Sequence, residues 1–339
     1  MSNHSLQDQL LHRLALQSLR FRKLWFAREC EINGNRQDRH RRNLFVSGLA
    51  RSGSTSLLRC FASTGEFSST RYDCMPFVLA PSICKWIGKF SAKRSKLIER
   101  DHKDSIQINL KSVEALDGIF WTTFLTRDEP IKLPAQLSEQ QLQGYTRFIE
   151  NWLIHMGSQR YLSKMNQSIG LLPDLATHFD QSTFLIPFRL PIQQATSLLQ
   201  QHGNFSNLSG YQKSYFNWLG HHEFGDTHQP FQNLGENPFS FDEPNTLNYW
   251  LAQWIIGYRY LSDLCDLHDN LIPVSYEQLG TSSSKWKQLS DRLHCCLPGD
   301  GFDNRNQTNR VVPEAVEPAL MVECDRLYDR LLNQSNRKL

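Results

Sequence analysis

The feature that most constrains this 339-residue chain is the run Asn43-Leu44-Phe45-Val46-Ser47 leading straight into Gly48-Leu49-Ala50-Arg51-Ser52-Gly53-Ser54-Thr55. A short, nearly continuous apolar run is what a strand buried on both faces shows. The stretch from Thr55 to Ala62 then has helical character and stops near Gly65. Strand, glycine loop and helix in that order form the opening unit of a phosphate-binding α/β domain. The expectation is a three-layer α/β/α fold with a central, mainly parallel sheet, of the P-loop NTPase-like kind. With 40% hydrophobic residues, the chain can bury the core that such a domain needs.

The rest of the sequence is consistent with that plan. Residues 1–42 read as an amphipathic helical segment ending in a basic run, and 43–339 as a single domain. Two further buried-strand candidates are 183–188 and 270–275, each far enough from the last to hold a helical crossover. Each contains a proline, Pro187 or Pro273, and proline cannot donate to a sheet ladder, so both are expected at sheet edges. Helices are expected at 138–156, 191–202, 247–268 and 313–332. The third carries a thick aromatic face that reads as core. Segments 85–105 and 203–245 read as long polar loops of the kind that carry substrate contacts.

Composition narrows the function classes. There are 37 Lys and Arg against 34 Asp and Glu, a formal charge of +3, which is too small an excess for a nucleic-acid binder. No run approaches the ~20 apolar residues of a membrane span, and the N-terminus lacks the pattern of an export signal. The eight cysteines are scattered without a CxxC pair, so reduced thiols in the cytoplasm are expected.

The loop itself departs from a nucleotide-hydrolysing P-loop. Gly48 and Gly53 have the Walker A separation and Thr55 fills its hydroxyl position, but Ser54 stands where the lysine belongs. A cradle of backbone N–H groups at a helix N-terminus is kept. The cation has moved to Arg51, among the hydroxyls of Ser52, Ser54, Thr55 and Ser56. The second strand candidate ends in Phe188-Arg189 rather than in an aspartate that could hold magnesium. A P-loop nucleotide or small-molecule kinase therefore lacks two of its parts. A nucleotide-binding scaffold without catalysis is the other alternative, and the joint presence of Arg51, Lys164 and Arg189 weighs against it.

Arg51-Ser52-Gly53-Ser54-Thr55 resembles the 5′-phosphosulfate loop of sulfotransferases, most nearly the R-S-G-T-T type of tyrosylprotein and bacterial enzymes. Arg189, Pro191 and Ser197 resemble the 3′-phosphate motif of the same family, an arginine at a strand end and a serine eight residues on in the next helix. An arginine fork with a helix hydroxyl suits a phosphate monoester. The resemblance covers roughly residues 44–280. It implies 3′-phosphoadenosine 5′-phosphosulfate as co-substrate, with no metal required. It also implies roles for Lys164, matching a family lysine ahead of the 3′-phosphate arginine, and for Tyr276, in a tyrosine-glutamate motif sometimes near the adenosine.

The same resemblance supplies candidates for the general base that takes the acceptor's proton. Asp73 stands at the spacing of a family carboxylate after the loop cation, and His102, with Asp104 nearby, is the second candidate. The acceptor is expected to be a hydroxyl compound, or an amine, with a carbohydrate slightly favoured by the mixed loops. One constellation is left over: His221-His222-Glu223 with Asp226 and His228. It has metal-ligand residue types without the H-E-x-x-H order, and it could equally be a loop near the acceptor.

Overall fold

A computed structural model describes residues 6–34, 37–84, 98–99, 107–108, 116–125, 136–166, 169–231, 234, 239, 243–297 and 316–339. The principal elements are α1 (Leu6–Leu16), α2 (Leu19–Asn33), β1 (Leu44–Val46), α3 (Ser54–Ser63), β2 (Ile98–Glu99), β3 (Gln107–Ile108), α4 (Gly118–Phe124) and α5 (Glu139–Met156). They continue with β4 (Leu162–Lys164), α6 (Leu172–His178), β5 (Thr183–Phe188), α7 (Pro191–Asn204), α8 (Gly210–Leu219) and α9 (Leu247–Leu267). The last are β6 (Leu271–Ser275), α10 (Tyr276–Thr281), α11 (Ser283–Leu293) and α12 (Pro318–Lys338).

Four of the strands form one parallel sheet in the order β4-β1-β5-β6. Side-chain alternation splits its two faces between two cores. On one face Phe45, Phe184 and Ile186 pack with the large cluster that includes Trp152, Tyr145 and Trp254; the rings of Phe45 and Phe184 stack at 4.6 Å. On the other, Leu44, Val46, Leu185 and Val274 pack with Leu57, Phe61 and Trp286 from α3 and α11. Helices cover both faces, and the three-layer α/β/α fold is the one the glycine loop predicts.

Four expectations are corrected. Pro187 does not mark an edge, because β5 lies inside the sheet between β1 and β6. Thr183 N donates to Asn43 O on the β1 side and Phe184 N to Asn270 O on the β6 side. The alternation turns the Pro187 nitrogen towards β1, where that strand has already become the loop, so no ladder bond is lost. Pro273 does sit on the edge strand β6. Segment 203–245 is not loop throughout. It contains α8, begun by a Ser209–Gln212 capping box and closed by Gly220 in the left-handed region. Finally, the thiols are not all reduced, since Cys74 and Cys84 form a disulfide with their Cα atoms 5.1 Å apart. The C-terminal helix also runs later than expected, over Pro318–Lys338.

Candidate functional site

Parallel strands deliver their C-terminal ends to one edge of the sheet, and this is where α/β folds place ligands. β1 runs into the loop 47–53, β4 ends at Lys164, β5 is followed by Arg189, and β6 by Tyr276. The register sets Val46 beside both Lys164 and Leu185, so the lysine is level with the start of the loop.

Two glycines make the loop possible. A Cβ on Gly48 would lie 2.3 Å from the Pro187 carbonyl oxygen, so only glycine lets the loop leave β1 this close to β5. Gly53 has φ 94°, which ordinary residues rarely adopt, and turns the chain into α3. Arg51 itself has φ 66°, a backbone conformation costly for a residue with a side chain and common at ligand-binding turns. Ser56 N and Leu57 N donate to Gly53 O, closing the first turn of α3. Among the described residues the amides of Gly53, Ser54 and Thr55 donate to no backbone carbonyl. These three N–H groups, at the positive end of a helix dipole, form a fitting cradle for an anion.

Three cations stand at this end of the sheet. Lys164, only 9% exposed, donates from Nζ to Thr55 Oγ1 at 3.1 Å. Arg51 donates from Nε to Ser197 Oγ at 2.9 Å, so the loop cation touches the serine of the second motif. Pro at the first position of α7 sets up the helix that carries Ser197. Arg189, 7% exposed, donates to Gln193 Oε1 at 3.3 and 3.1 Å and lies over the Tyr276 ring at 4.9 Å. Ser52 and Ser54 are buried, while Ser56 faces outward from α3. Glu277 is the glutamate of the tyrosine-glutamate motif, to which the sequence assigned no role. It accepts from Leu190 N at 2.9 Å, Ser275 Oγ at 3.2 Å and the Tyr328 hydroxyl at 3.1 Å, fastening the ends of β5 and β6 to α12.

Asp73 lies in the short 3-10 turn Tyr72–Cys74, and its carboxylate contacts are to Arg71 rather than to Lys164 or the glycine loop. Ser68 pairs in parallel with Tyr161, so the chain from Ser68 towards Asp73 runs alongside β4 in its own direction. The carboxylate is held by the Arg71 fork, Nε to Oδ1 at 3.1 Å and Nη2 to Oδ2. His102 and Asp104 lie outside the described residues.

The His221–His228 constellation resolves into a stapled loop. His222 Nδ1 donates to Thr227 O at 3.1 Å, and His228 Nδ1 donates to Glu223 O at 2.8 Å. A carbonyl only accepts, so the His228 proton sits on Nδ1. Its Nε2 then accepts from the Tyr249 hydroxyl at 2.5 Å, a phenol that burial pushes up to about 12. Asp226 accepts from Asn207 N and Leu208 N at the start of α8 and pairs with Lys213. The group of potential metal ligands found among the described residues is a different one, Cys74, Cys84 and His155, two of which form the disulfide. Glu223 and His228 instead line a narrow pocket shared with Leu49 and Ala50 of the glycine loop. α9 brings them together across some 170 residues of sequence, helped by Gly257, where a Cβ would meet the Leu49 side chain at 2.8 Å. No local motif signals that proximity.

No known family's sequence profile matches the chain, and no curated protein matches it either. Solved structures do. The sulfotransferase STF9 from Mycobacterium avium aligns over 97% of this chain and 86% of its own, with a TM-score of 0.54 at 11% identity. The sulfotransferase STF1 from Mycobacterium tuberculosis H37Rv aligns over 98% and 86% at 10% identity, with a TM-score of 0.48. A sulfotransferase from Alicyclobacillus acidocaldarius aligns over 88% and 95% at 13% identity, with a TM-score of 0.40. At that distance the STF9 likeness establishes the fold, the same layered arrangement around a parallel sheet.

Proposed function

We propose that this chain transfers a sulfuryl group from 3′-phosphoadenosine 5′-phosphosulfate to a hydroxyl or amino group of an acceptor. The observation that supports the reading is the Arg51–Ser197 hydrogen bond, which brings the cation of the glycine loop onto the serine of the second motif. When bound, the donor supplies the activated sulfuryl group and departs as 3′-phosphoadenosine 5′-phosphate. In this reading Gly53, Ser54 and Thr55 hold the 5′ side through their amides, and Ser52, Ser54, Thr55 and Ser56 supply the surrounding hydroxyls. Arg51 and Lys164 stabilise charge building up on the leaving phosphate. Arg189 and Ser197 hold the 3′-phosphate, and Tyr276, already stacked on Arg189, forms one wall for the adenosine. Asp73 takes the acceptor's proton, with His102 as the second candidate. The cation position supports this over a kinase, since no lysine follows Gly53.

Thermal melting tests the reading. A ligand that binds only the native state stabilises it by mass action, about 2.7 kcal/mol at a hundredfold excess over Kd. 3′-Phosphoadenosine 5′-phosphate is expected to raise Tm by several degrees, and ATP with magnesium is expected to do so much less. A rise with ATP and magnesium alone sinks the proposal in favour of a kinase. A rise with neither favours a scaffold.

A further inference from the structure

α5 brings two residues of one face to the segment that follows Asp73. Trp152 and His155 stand three positions apart on this helix, so they share a side. The Trp152 ring is fully buried, and its Nε1 donates to Val78 O at 3.1 Å. The His155 ring sits edge-on to it at 5.8 Å. Val78 lies between Cys74 and Cys84, whose sulfurs are joined. A ring nitrogen of His155 and the two sulfurs all lie within 4.8 Å of one another. The cross-link has a third metal-ligand type beside it, supplied by a different element.

Two thiolates and an imidazole form a soft nitrogen–sulfur set of the kind that holds zinc. Tetrahedral zinc, with bonds of about 2.3 Å to sulfur and about 2.0 Å to nitrogen, spaces its ligand atoms roughly 3.5–3.8 Å apart. That spacing falls within the 4.8 Å over which the three atoms are grouped. Opening the S–S bond and rotating side chains is enough to reach it, with the cysteine Cα atoms left 5.1 Å apart. The loop does not depend on the disulfide for its place. Ser82 N and Oγ donate to the Glu29 carboxylate on α2, and Val78 is held by Trp152. The cysteines therefore stay neighbours when their bond is broken. Burial also suits a metal. Cys74 is 2% exposed, and Val78, Leu79 and Ala80 of the same loop are buried. Cys84 and His155 are half-buried, which gives an ion a way in.

We propose that Cys74, Cys84 and His155 form a zinc site that replaces the disulfide when the pair is reduced. A dithiol reductant opens the bond: its two hydrogens pass to the cysteine sulfurs, and it leaves as its own disulfide. Zinc then makes two Zn–S bonds and one Zn–N bond, both thiol protons go to solvent, and the metal stays divalent. Water completes the tetrahedron. The segment after Asp73 so has two exclusive clips, one for oxidising and one for reducing conditions. This inference goes beyond sulfuryl transfer and holds independently of it.

The test compares the oxidised chain with a chain reduced by dithiothreitol and freed of it under nitrogen. Each is titrated with zinc in competition with a chromophoric chelator. The reduced chain is expected to bind one zinc with a Kd of about 1 μM or below, and the oxidised chain at least about tenfold more weakly. Cobalt in place of zinc is expected to show the intense visible bands of a tetrahedral site and sulfur-to-cobalt charge transfer. Zinc should raise the Tm of the reduced chain by several degrees and leave that of the oxidised chain unchanged. His155→Asn is expected to weaken zinc by about tenfold or more, with its fold checked by circular dichroism. Labelling by iodoacetamide, read by peptide mass spectrometry, needs no substitution. Zinc is expected to slow labelling of Cys74 and Cys84 in the reduced native chain and to leave the adjacent thiols Cys295 and Cys296 unaffected. Protection of Cys295 and Cys296 instead overturns the proposal. So do equal affinities of the reduced and oxidised chains, no binding by the reduced chain, or native affinity in a folded His155→Asn. If that variant does not fold, the labelling pattern of the native chain decides.

Discussion

Arg189 shows why the 3′-phosphate side can be tested separately from the rest. Its guanidinium lies over the Tyr276 ring and is oriented by Gln193, so the fork is held in place before any ligand arrives. A hydrogen bond from a charged donor is worth about 1.5–3 kcal/mol, or roughly ten- to a hundredfold in affinity. Arg189→Ala is therefore expected to weaken 3′-phosphoadenosine 5′-phosphate by that factor. It should barely change binding of adenosine 5′-phosphate, which lacks the 3′ group. Calorimetric titration of both nucleotides checks this, and equal losses for the two would place Arg189 elsewhere. Lysine at 189 should rescue only part of the loss, because a point charge cannot reproduce the fork or the stacking. Gly48 offers a second test at this scale, on stability. Gly48→Ala must move the backbone carbonyl of Pro187, and an expected cost of roughly 2–4 kcal/mol would appear as a lower urea midpoint with an unchanged slope.

At the scale of elements, β4 is held to the helical layer by a buried carboxylate. Asp117, just before α4, accepts from the Tyr145 hydroxyl at 2.6 Å, the Ser163 hydroxyl at 2.8 Å and the Tyr161 hydroxyl at 3.1 Å. Burial pushes its carboxyl up to about 6, against the opposing pull of those hydrogen bonds. Because the folded form binds this proton more tightly than the unfolded chain does, the contribution of Asp117 to stability falls as pH rises from about 4 to about 6. Asp117→Asn is expected to remove that part of the slope in a plot of Tm against pH. A slope unchanged between the native chain and the variant would show that another group titrates there. Ser163 belongs to this network and its neighbour Lys164 bonds to Thr55 at the start of α3, so one three-residue strand joins core to candidate site. Such a strand was hard to read in the sequence, because three residues are too few to show a period. The strand, loop and helix around Gly48–Gly53 were legible because they form a local pattern, whereas the bond of Ser197 to Arg51 rather than to Arg189 was not, since it joins positions 146 residues apart. Pro187 was misread as an edge residue because the ladder position of a single nitrogen depends on where its neighbour ends. α8 was missed although Ser209, Gln212 and Gly220 mark its two ends, since the polar composition around it drew attention instead. Glu223 stood out in the sequence with His221 and His222, but nothing local places residue 223 beside residue 49.

At the scale of the whole molecule, the N-terminal helices act as a clasp. α2 buries Arg22, Phe26 and Glu29. Arg22 donates to the hydroxyls of Thr122 and Thr123 on α4, and Phe26 packs edge-on against Phe120 and Phe124. Glu29 is 1% exposed and accepts from Ser82 N at 3.1 Å, Ser82 Oγ at 2.5 Å and Asn33 Nδ2 at 3.1 Å. From the opposite side, Trp152 Nε1 donates to Val78 O at 3.1 Å, and the disulfide joins Cys74 to Cys84. The segment that begins at Asp73 is thus pinned by α2, by α5 and by its own cross-link. Cutting the first of these pins should be felt both in stability and at Asp73. Glu29→Ala leaves two Ser82 donors without their buried acceptor, at an expected cost of about 2–4 kcal/mol. If Asp73 is the base, the loosened segment should also lower kcat while leaving the affinity for 3′-phosphoadenosine 5′-phosphate unchanged, since Glu29 bonds to Ser82 and Asn33 and not to the residues proposed to hold that ligand. Glu29→Gln keeps one acceptor and should recover part of both losses. A variant with reduced stability but native kcat would separate Asp73 from the chemistry and move attention to His102. A variant that instead loses nucleotide affinity would mean that the clasp reaches the loop itself.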